Sequence, residues 1–169
     1  MEAQIIKSSR EKEFVAYVLA RMKKDTRFRA MLSRADNPAT AAQAWEFLIP
    51  WCDIVDERQR LAFATTGAAM ARAKPEKDGG LGIGRAIAEC YRDGSNDDQA
   101  KAKLRRLLAC DSIKVACGIL RSLLRLCNSR GVRLSYEQLL RDLLRFGEKT
   151  RIKWATEFYP RREHDRLDA

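Results

Sequence analysis

The sequence predicts an all-α protein, with about eight helices arranged in two small bundles and no sheet. Apolar residues recur at spacings of three and four along almost the whole chain, which is the period of one helix face. The 169 residues include only nine glycines and four prolines, while 46% are hydrophobic and 33% are charged. Such a composition is typical of a folded helical protein and not of a disordered or fibrous chain.

The first predicted helices occupy the chain up to about residue 73. Their apolar positions are, in chain order, Phe14, Val15, Val18, Leu19 and Met22; Phe28, Met31 and Leu32; Trp45 and Leu48; and Leu61, Phe63 and Met70. Asp25 is placed to cap the second of these helices, and Asp53 or Asp56 to cap the fourth. Pro38 and Pro50 interrupt the pattern, so each is expected to lie where a helix ends.

The helices after residue 80 have clearer patterns. Their inward positions are expected to be, in chain order, Ile83, Ile87, Cys90 and Tyr91; Leu104, Leu107 and Leu108; Ile113, Ala116, Cys117, Leu120, Leu123, Leu124 and Cys127; Tyr136, Leu139, Leu140, Leu143 and Leu144; and Ile152, Ala155, Phe158 and Tyr159. Asp97 or Asp98, then Asp111, then Ser135 are the expected caps of three of these helices.

The glycine-rich stretch GGLGIGRAIAEC at residues 79–90 has the letters of a dinucleotide-binding loop without its context. Such a loop follows a buried strand, whereas the charged, proline-broken run AMARAKPEKDGG stands here. No tyrosine has a lysine four positions later, as a short-chain dehydrogenase needs. We therefore predict a tight helix-packing seat on Gly80, Gly84 and Ala88. Gly84 inside a helix costs about 1 kcal/mol relative to alanine, which close packing would offset.

The turn at residues 93–96, Asp-Gly-Ser-Asn, predicts two domains, an N-terminal helical bundle at 1–94 and a C-terminal basic helical bundle at 95–169. The net charge is +10, and residues 101–162 hold sixteen Lys and Arg against five Asp and Glu. The rest of the chain is nearly neutral. A polyanion is the expected partner of the basic half, because a dense positive field attracts phosphate chains and binding releases counterions. A solvated basic surface is the alternative.

No catalytic site, metal site or cofactor is expected. The single histidine, His164, lies five residues from the C-terminus, so a nucleophile would lack its base and zinc would lack ligands. The acidic run at residues 53–57 is expected to cap a helix. Trp45, Trp51 and Trp154 lie in apolar patterns and are expected in the core, not stacked on bases.

Five cysteines without a C-x-x-C pair are expected to pack as small hydrophobes in a reducing compartment. The chain has no run of eighteen apolar residues and no signal-peptide pattern. We therefore expect a cytoplasmic protein.

A cationic ridge is expected on the helix that starts near residue 113, opposite its core stripe. Its members are Lys114, Gly118, Arg121 and Arg125, at spacings of i, i+4, i+7 and i+11. Arginines spaced along a helix suit the backbone of an extended nucleic-acid strand, and such contacts do not read bases. Binding through them should be independent of sequence and sensitive to salt.

Several segments between residues 11 and 160 occur in the order found in one protein family. They are FVAYVLARMKKDTRFRAMLSRADNPAT and AWEFLIPW in the first half, followed by GLGIGRAIA, LRRLLACD, ILRSLLRL, LSYEQLLRDLLRF and KWATEFY in the second. With them the chain resembles CasB, the small subunit of the type I-E Cascade CRISPR surveillance complex.

This resemblance implies a non-enzymatic, all-helical subunit of two small bundles without a cofactor. Members lie along the belly of Cascade as two head-to-tail copies, where they contact the large subunit and the subunits that carry the guide RNA. Their basic surface helps to hold target DNA and the displaced non-target strand in the R-loop. A helical scaffold whose basic half docks an acidic protein, without touching DNA, is the alternative.

The resemblance and the charge pattern together give the candidate nucleic-acid-binding residues. They are Lys101, Lys103, Arg105, Lys114, Arg121 and Arg125, with Arg141, Arg145, Lys149 and Lys153 as second choices. Arg121 matches the arginine of the family's leucine-arginine helix. Arg85, in the glycine signature, has either a functional role or a structural one in which it pairs with an acid between the bundles.

Overall fold

The chain forms only helices as regular structure in the residues that the computed structural model describes, which are 8–161. Nine α-helices are present there: α1 Arg10–Met22, α2 Thr26–Leu32, α3 Trp45–Leu48, α4 Glu57–Ala73, α5 Ile83–Glu89, α6 Asp98–Leu108, α7 Ile113–Ser129, α8 Tyr136–Leu144 and α9 Glu148–Phe158. Short 3₁₀ turns occur at Ala41–Ala44 and Gly94–Asn96. The all-α prediction is confirmed.

Most of the expected helix caps are confirmed by side-chain hydrogen bonds. Asp25, Asp56, Asp97 and Ser135 each accept a hydrogen bond from a backbone N–H in the first turn of the helix that follows. The cap of α7 is different from the expected Asp111, because Ser112 has the extended backbone and its Oγ accepts from the Val115 N–H. The prediction at this helix was therefore wrong by one residue.

Contacts divide the described chain into two compact units. The first comprises residues 8–79 and 135–145, and the second comprises residues 80–134 and 146–161. The domain boundary that the turn at 93–96 predicts falls inside the second unit. The sequence of a turn indicates only where the chain changes direction. Which residues form each unit depends instead on which helices, distant in sequence, pack together.

The core of the first unit forms where α4 packs against α1, α2, α3 and α8. All ten residues from Ala62 to Ala71 of α4 are buried, which suits a central helix with neighbours on every side. The rings of Phe14 and Phe63 meet edge to face, with centroids 4.8 Å apart.

In the second unit α5 packs on α6, α7 and α9. The predicted core stripe of α7 is confirmed at all seven positions, and Trp154 and Phe158 of α9 are completely buried. Two residues predicted to face inward from this last helix are instead exposed, Ile152 at 58% and Tyr159 at 41%. The buried line of α9 follows Trp154 and Phe158, and Ile152 lies on the opposite side of the helix from it.

The three tryptophans differ in burial. Trp154 is in the core, as predicted, whereas Trp51 is half-buried beside Phe14, with ring centroids 5.6 Å apart. Trp45 is 39% exposed, so the prediction that it packs in the core was wrong. It lies on the single turn of α3, which buries Phe47 and Leu48 instead.

Candidate nucleic-acid interface

The glycine stretch forms a seat for helix α9. A Cβ at Gly84 would collide with the backbone carbonyl of Trp154, so only glycine lets the two helices approach this closely. The Gly84 N–H donates to Oε2 of Glu157 at 3.1 Å, and a Cβ at Gly82 would collide with the same carboxylate. The predicted seat is confirmed at Gly84 but wrong at Gly80, where a Cβ would meet nothing within 4 Å.

This seat also decides against a nucleotide loop. In a dinucleotide-binding fold the N–H at this position would face a phosphate. Here the Gly84 N–H instead donates a hydrogen bond to the carboxylate of Glu157 in the protein itself. No strand precedes α5 in the described residues. Arg85 pairs with Glu89 one turn along α5, at 2.9 Å, and not with an acid between the predicted bundles.

Helix α7 carries the basic ridge away from its core stripe. Lys114, Gly118 and Arg125 are exposed, and Arg121 is half-buried. At 100° per residue the three cationic positions lie within about 40° of one another and span about 16 Å along the helix. A Cβ at Gly118 would meet no atom within 4 Å, so the step between the cations is open. The ridge is as long as about five phosphates of one strand of duplex DNA, where they are spaced 3.4 Å apart along the axis, and it spans fewer phosphates of an extended single strand.

The candidates on α6 lie on two sides of the helix. Lys101 and the exposed Arg105 are one turn apart, whereas Lys103 lies on the other side of the buried Leu104. Exposed Arg106, three residues after Lys103, shares its side and was missed by the sequence analysis. A spacing of two cannot place three residues on one helix face, so α6 does not present its three candidates together.

Two of the second-choice candidates form ion pairs with carboxylates. Arg141 lies 2.6 Å from Glu137, and Lys153 lies 3.8 Å from Glu157. A phosphate would have to compete with these acids. Lys114, Arg125, Arg105 and Lys149 have no ion-pair partner within the part of the chain that the structure describes, which favours them as phosphate ligands.

The structure does not bring the ten candidates into one unit. Arg141 and Arg145 belong to the first unit with α8, whereas the others belong to the second. A further basic residue of the second unit, Arg151, is used internally. Its guanidinium donates to the carbonyl oxygens of Leu108 and Cys110, at 3.3 and 3.1 Å, and thereby satisfies the C-terminal end of α6.

A second basic segment lies in the front of the chain. The sequence analysis missed it because the charges of that whole part add up to nearly zero. Residues 21–34 contain six Lys and Arg against one Asp, and Lys23, Lys24 and Arg27 are exposed. Most of the acids that balance this sum lie outside the segment, four of them at residues 46–57, and one of these, Glu46, lies 3.8 Å from Arg27. A charge count in short windows would have found the segment.

The titratable groups of the acidic run and of Cys52 have structural roles. In the acidic run, Asp56 caps α4 as expected, and Asp53 accepts from the Val55 N–H at 3.0 Å. Burial raises the pKa of Cys52 to about 11, so this thiol is not a nucleophile near neutral pH. Among the described residues no group of three His, Cys, Asp or Glu is placed to hold a metal ion. His164 lies outside the described residues, and no described helix is long and apolar enough to cross a membrane.

Comparison with protein families identifies the chain. The family model for CRISPR-associated protein Cse2 matches residues 9–159, almost all of the described chain. The chain belongs to the Cse2 family. This confirms the resemblance found in the sequence, because Cse2 and CasB are names of the same family.

A solved structure shares the fold. The chain is similar to a chain of a CRISPR RNA-guided surveillance complex, with a TM-score of 0.72 and 21% identity over 88% of this chain and 91% of that chain. No curated protein matches the sequence.

Proposed function

We propose that this Cse2-family protein is a non-catalytic small subunit of a type I-E Cascade surveillance complex in the cytoplasm. In this role it binds nucleic acid without sequence preference and stabilises target DNA and the displaced strand in the R-loop. Its partners are the large subunit, the guide-RNA-carrying subunits, the guide RNA and a second copy of itself. Family membership and the shared fold support the assembly role.

The observation that carries the nucleic-acid role is the ridge on α7. Lys114, Arg121 and Arg125 project from one helix side, and the open step at Gly118 leaves room for a backbone between them. Side chains of this kind neutralise phosphates and release counterions, and contacts to phosphate carry no information about the bases. The ridge therefore gives affinity without sequence preference.

A few phosphate contacts suffice for the proposed role. In an R-loop the RNA–DNA hybrid that forms is about as stable as the DNA duplex that opens. Contacts to the displaced strand act on this nearly balanced exchange, so a modest binding free energy shifts it towards the open state. High affinity of the isolated subunit is not required, since neighbouring subunits raise the effective concentration of DNA.

One observation favours the alternative, a scaffold whose basic half docks an acidic protein. The side of α7 next to the ridge is apolar, with Val115 50% exposed and Ile119 and Leu126 half-buried. An apolar strip beside cations suits a protein surface with acidic rims as well as it suits DNA.

Reconstitution of the complex distinguishes the nucleic-acid role from the protein-docking role. The subunit with Lys114, Arg121 and Arg125 changed to Ala is reconstituted with the remaining Cascade subunits and guide RNA, and both its incorporation and R-loop lifetime are measured. The proposal predicts normal incorporation with a shorter R-loop lifetime. Loss of the variant from the complex would favour protein docking through the ridge.

A further inference from the structure

Two cysteine side chains in the second unit touch through their sulfur atoms. The Sγ atoms of Cys90 and Cys127 are hydrogen-bonded at 3.5 Å, and the two residues are only 4% and 3% exposed. Cys90 follows the last residue of α5, and Cys127 lies in the final turns of α7. Nothing in the proposed function uses this pair.

The pair has a different environment from two other cysteines of the chain. The thiols of Cys52 and Cys110 donate to backbone carbonyls four residues earlier, and burial raises the pKa of each. In contrast, the hydrogen bond that Cys90 shares with Cys127 lowers the pKa of Cys90, with smaller contributions from the positive charges of Arg130 and Lys103.

The same hydrogen bond raises the pKa of Cys127, because a proton retained there stabilises a thiolate on its neighbour. The two sulfur atoms thus have separate roles. Cys90 is the more easily ionised thiol and hence the better nucleophile, while Cys127 remains protonated when Cys90 is a thiolate.

We propose that Cys90 and Cys127 are a covalent modification site, a dithiol that hydrogen peroxide converts to an intramolecular disulfide. In the first step the Cys90 thiolate attacks a peroxide oxygen, the O–O bond breaks, and hydroxide leaves while Cys90 becomes a sulfenic acid. In the second step the Cys127 sulfur attacks the Cys90 sulfur, the S–O bond breaks, the S–S bond forms, and the departing hydroxide takes the Cys127 proton to become water. Two thiols and one peroxide give one disulfide and two waters.

The positions of the two residues suit the bond. The sulfur atoms must approach from 3.5 Å to about 2.0 Å, and both lie at or near helix ends, where a small shift disturbs few backbone hydrogen bonds. Because both thiols are buried, the proposal requires local opening at the end of α5, where Glu89 is exposed, for peroxide to reach them. The bond would join residues that are 37 positions apart and so restrict the unfolded chain.

Peptide mapping of the full-length protein tests the site directly. Reduced protein is treated with hydrogen peroxide, remaining thiols are alkylated, and tryptic peptides are analysed by mass spectrometry. Trypsin separates the two cysteines, because it releases AIAECYR with Cys90 and LCNSR with Cys127. We expect these peptides joined with the loss of two hydrogens, and separated again by dithiothreitol, while the peptides of the other cysteines stay alkylated.

Two variants and a melting experiment control this test. C52S should leave the crosslink unchanged, whereas C90S should abolish it and leave Cys127 open to alkylation. The thermal midpoint of the wild type should rise after peroxide and fall again after reduction. Alkylation of Cys90 and Cys127 after peroxide, a crosslink between other cysteines, over-oxidation of Cys90 without joining, or a lowered midpoint would each overturn the proposal. The result is independent of nucleic-acid binding, so it does not depend on the proposed function.

Discussion

Replacing Gly84 with alanine should destabilise the second unit of the protein. The new Cβ would collide with the Trp154 carbonyl oxygen and lie 2.9 Å from the Glu157 Cβ, and the first of these atoms belongs to the backbone of α9. A flexible side chain could move aside, but a helix backbone can yield only if the two helices separate. Separation would also weaken the hydrogen bond from the Gly84 N–H to Glu157.

The magnitude follows from two opposing effects. Overpacking in a core costs about 1–3 kcal/mol, and alanine recovers at most about 1 kcal/mol of helix propensity relative to glycine. Because the clash is with helix backbone, the cost lies in the upper part of this range, about 2–3 kcal/mol, and we expect a net loss of about 1–2 kcal/mol. Gly118→Ala is the matched control, since this glycine is also helical but a Cβ there meets nothing within 4 Å. The control should gain stability, by up to about 1 kcal/mol.

Urea unfolding of the full-length wild type and both variants measures these changes, with helicity followed by circular dichroism. The two glycine substitutions should shift the midpoint in opposite directions. A Gly84→Ala protein as stable as the wild type, or shifts of the same sign at both positions, would refute the close approach of α5 and α9.

Three further predictions concern the first unit. Asp78→Ala should lower the free energy of unfolding by about 1–2 kcal/mol in urea titrations, because its carboxylate accepts from the backbone N–H groups of Tyr136 and Glu137 at the start of α8; an unchanged midpoint would contradict this second cap. Asp36→Asn should lower the free energy of unfolding by about 3 kcal/mol in the same assay, because the Asp36 carboxylate accepts hydrogen bonds from both terminal nitrogens of the half-buried Arg72. An unchanged free energy of unfolding would mean that this pair does not anchor α4. The pKa of Asp25 is lowered by its hydrogen bond from the Phe28 N–H. Its contribution is therefore complete above the unfolded pKa of about 3.9 and is lost as pH falls through the folded value. Asp25→Asn should flatten the acid side of the stability profile, and an unchanged profile would contradict the cap.

Much of the fold follows from the sequence where a pattern is long and redundant. The core stripe of α7 runs over four turns, so its period identifies the buried side even if single positions are ambiguous. Caps are similarly local, because an Asp or Ser must stand within three residues of the N–H it accepts from. The error at Asp111 arose because adjacent Asp and Ser are both good caps, and only the backbone angles decide between them.

Features that depend on distant partners could not be read from the chain. The return of α8 to the first unit follows from packing against α1 and α4, and nothing at Ser135 or Arg145 announces it. Exposure of Trp45 has the same origin, since a one-turn helix can bury any of its sides. Of the glycine stretch, the sequence indicated close packing, but only the position of Glu157 distinguishes Gly82 and Gly84 from Gly80.

The candidate interface was predictable as a charge excess but not as an arrangement. Periodicity placed Lys114, Arg121 and Arg125 on one side of a helix, because all three lie within a single continuous helix. It could not reveal that Glu137 lies against Arg141, or that Lys23, Lys24 and Arg27 in the basic segment at 21–34 are exposed. Pairing and exposure depend on side-chain positions, and a sum over half of the chain conceals both.

The most direct test of the central claim is the salt dependence of binding to unrelated single-stranded DNA. The wild type is compared with the α7 variant in which Lys114, Arg121 and Arg125 are Ala, and with a charge-matched control that carries Ala at three exposed lysines of the first unit. These control residues are Lys12, Lys74 and Lys77, which lie outside the basic segment at 21–34.

The account predicts that affinity falls steeply with salt in the wild type and the control. In the α7 variant the slope of log affinity against log salt should be shallower by about 2, because three phosphate contacts contribute about 0.7 each on a single strand. Equal slopes for the α7 variant and the control, or no binding by the wild type at low salt, would contradict a phosphate-binding ridge on α7.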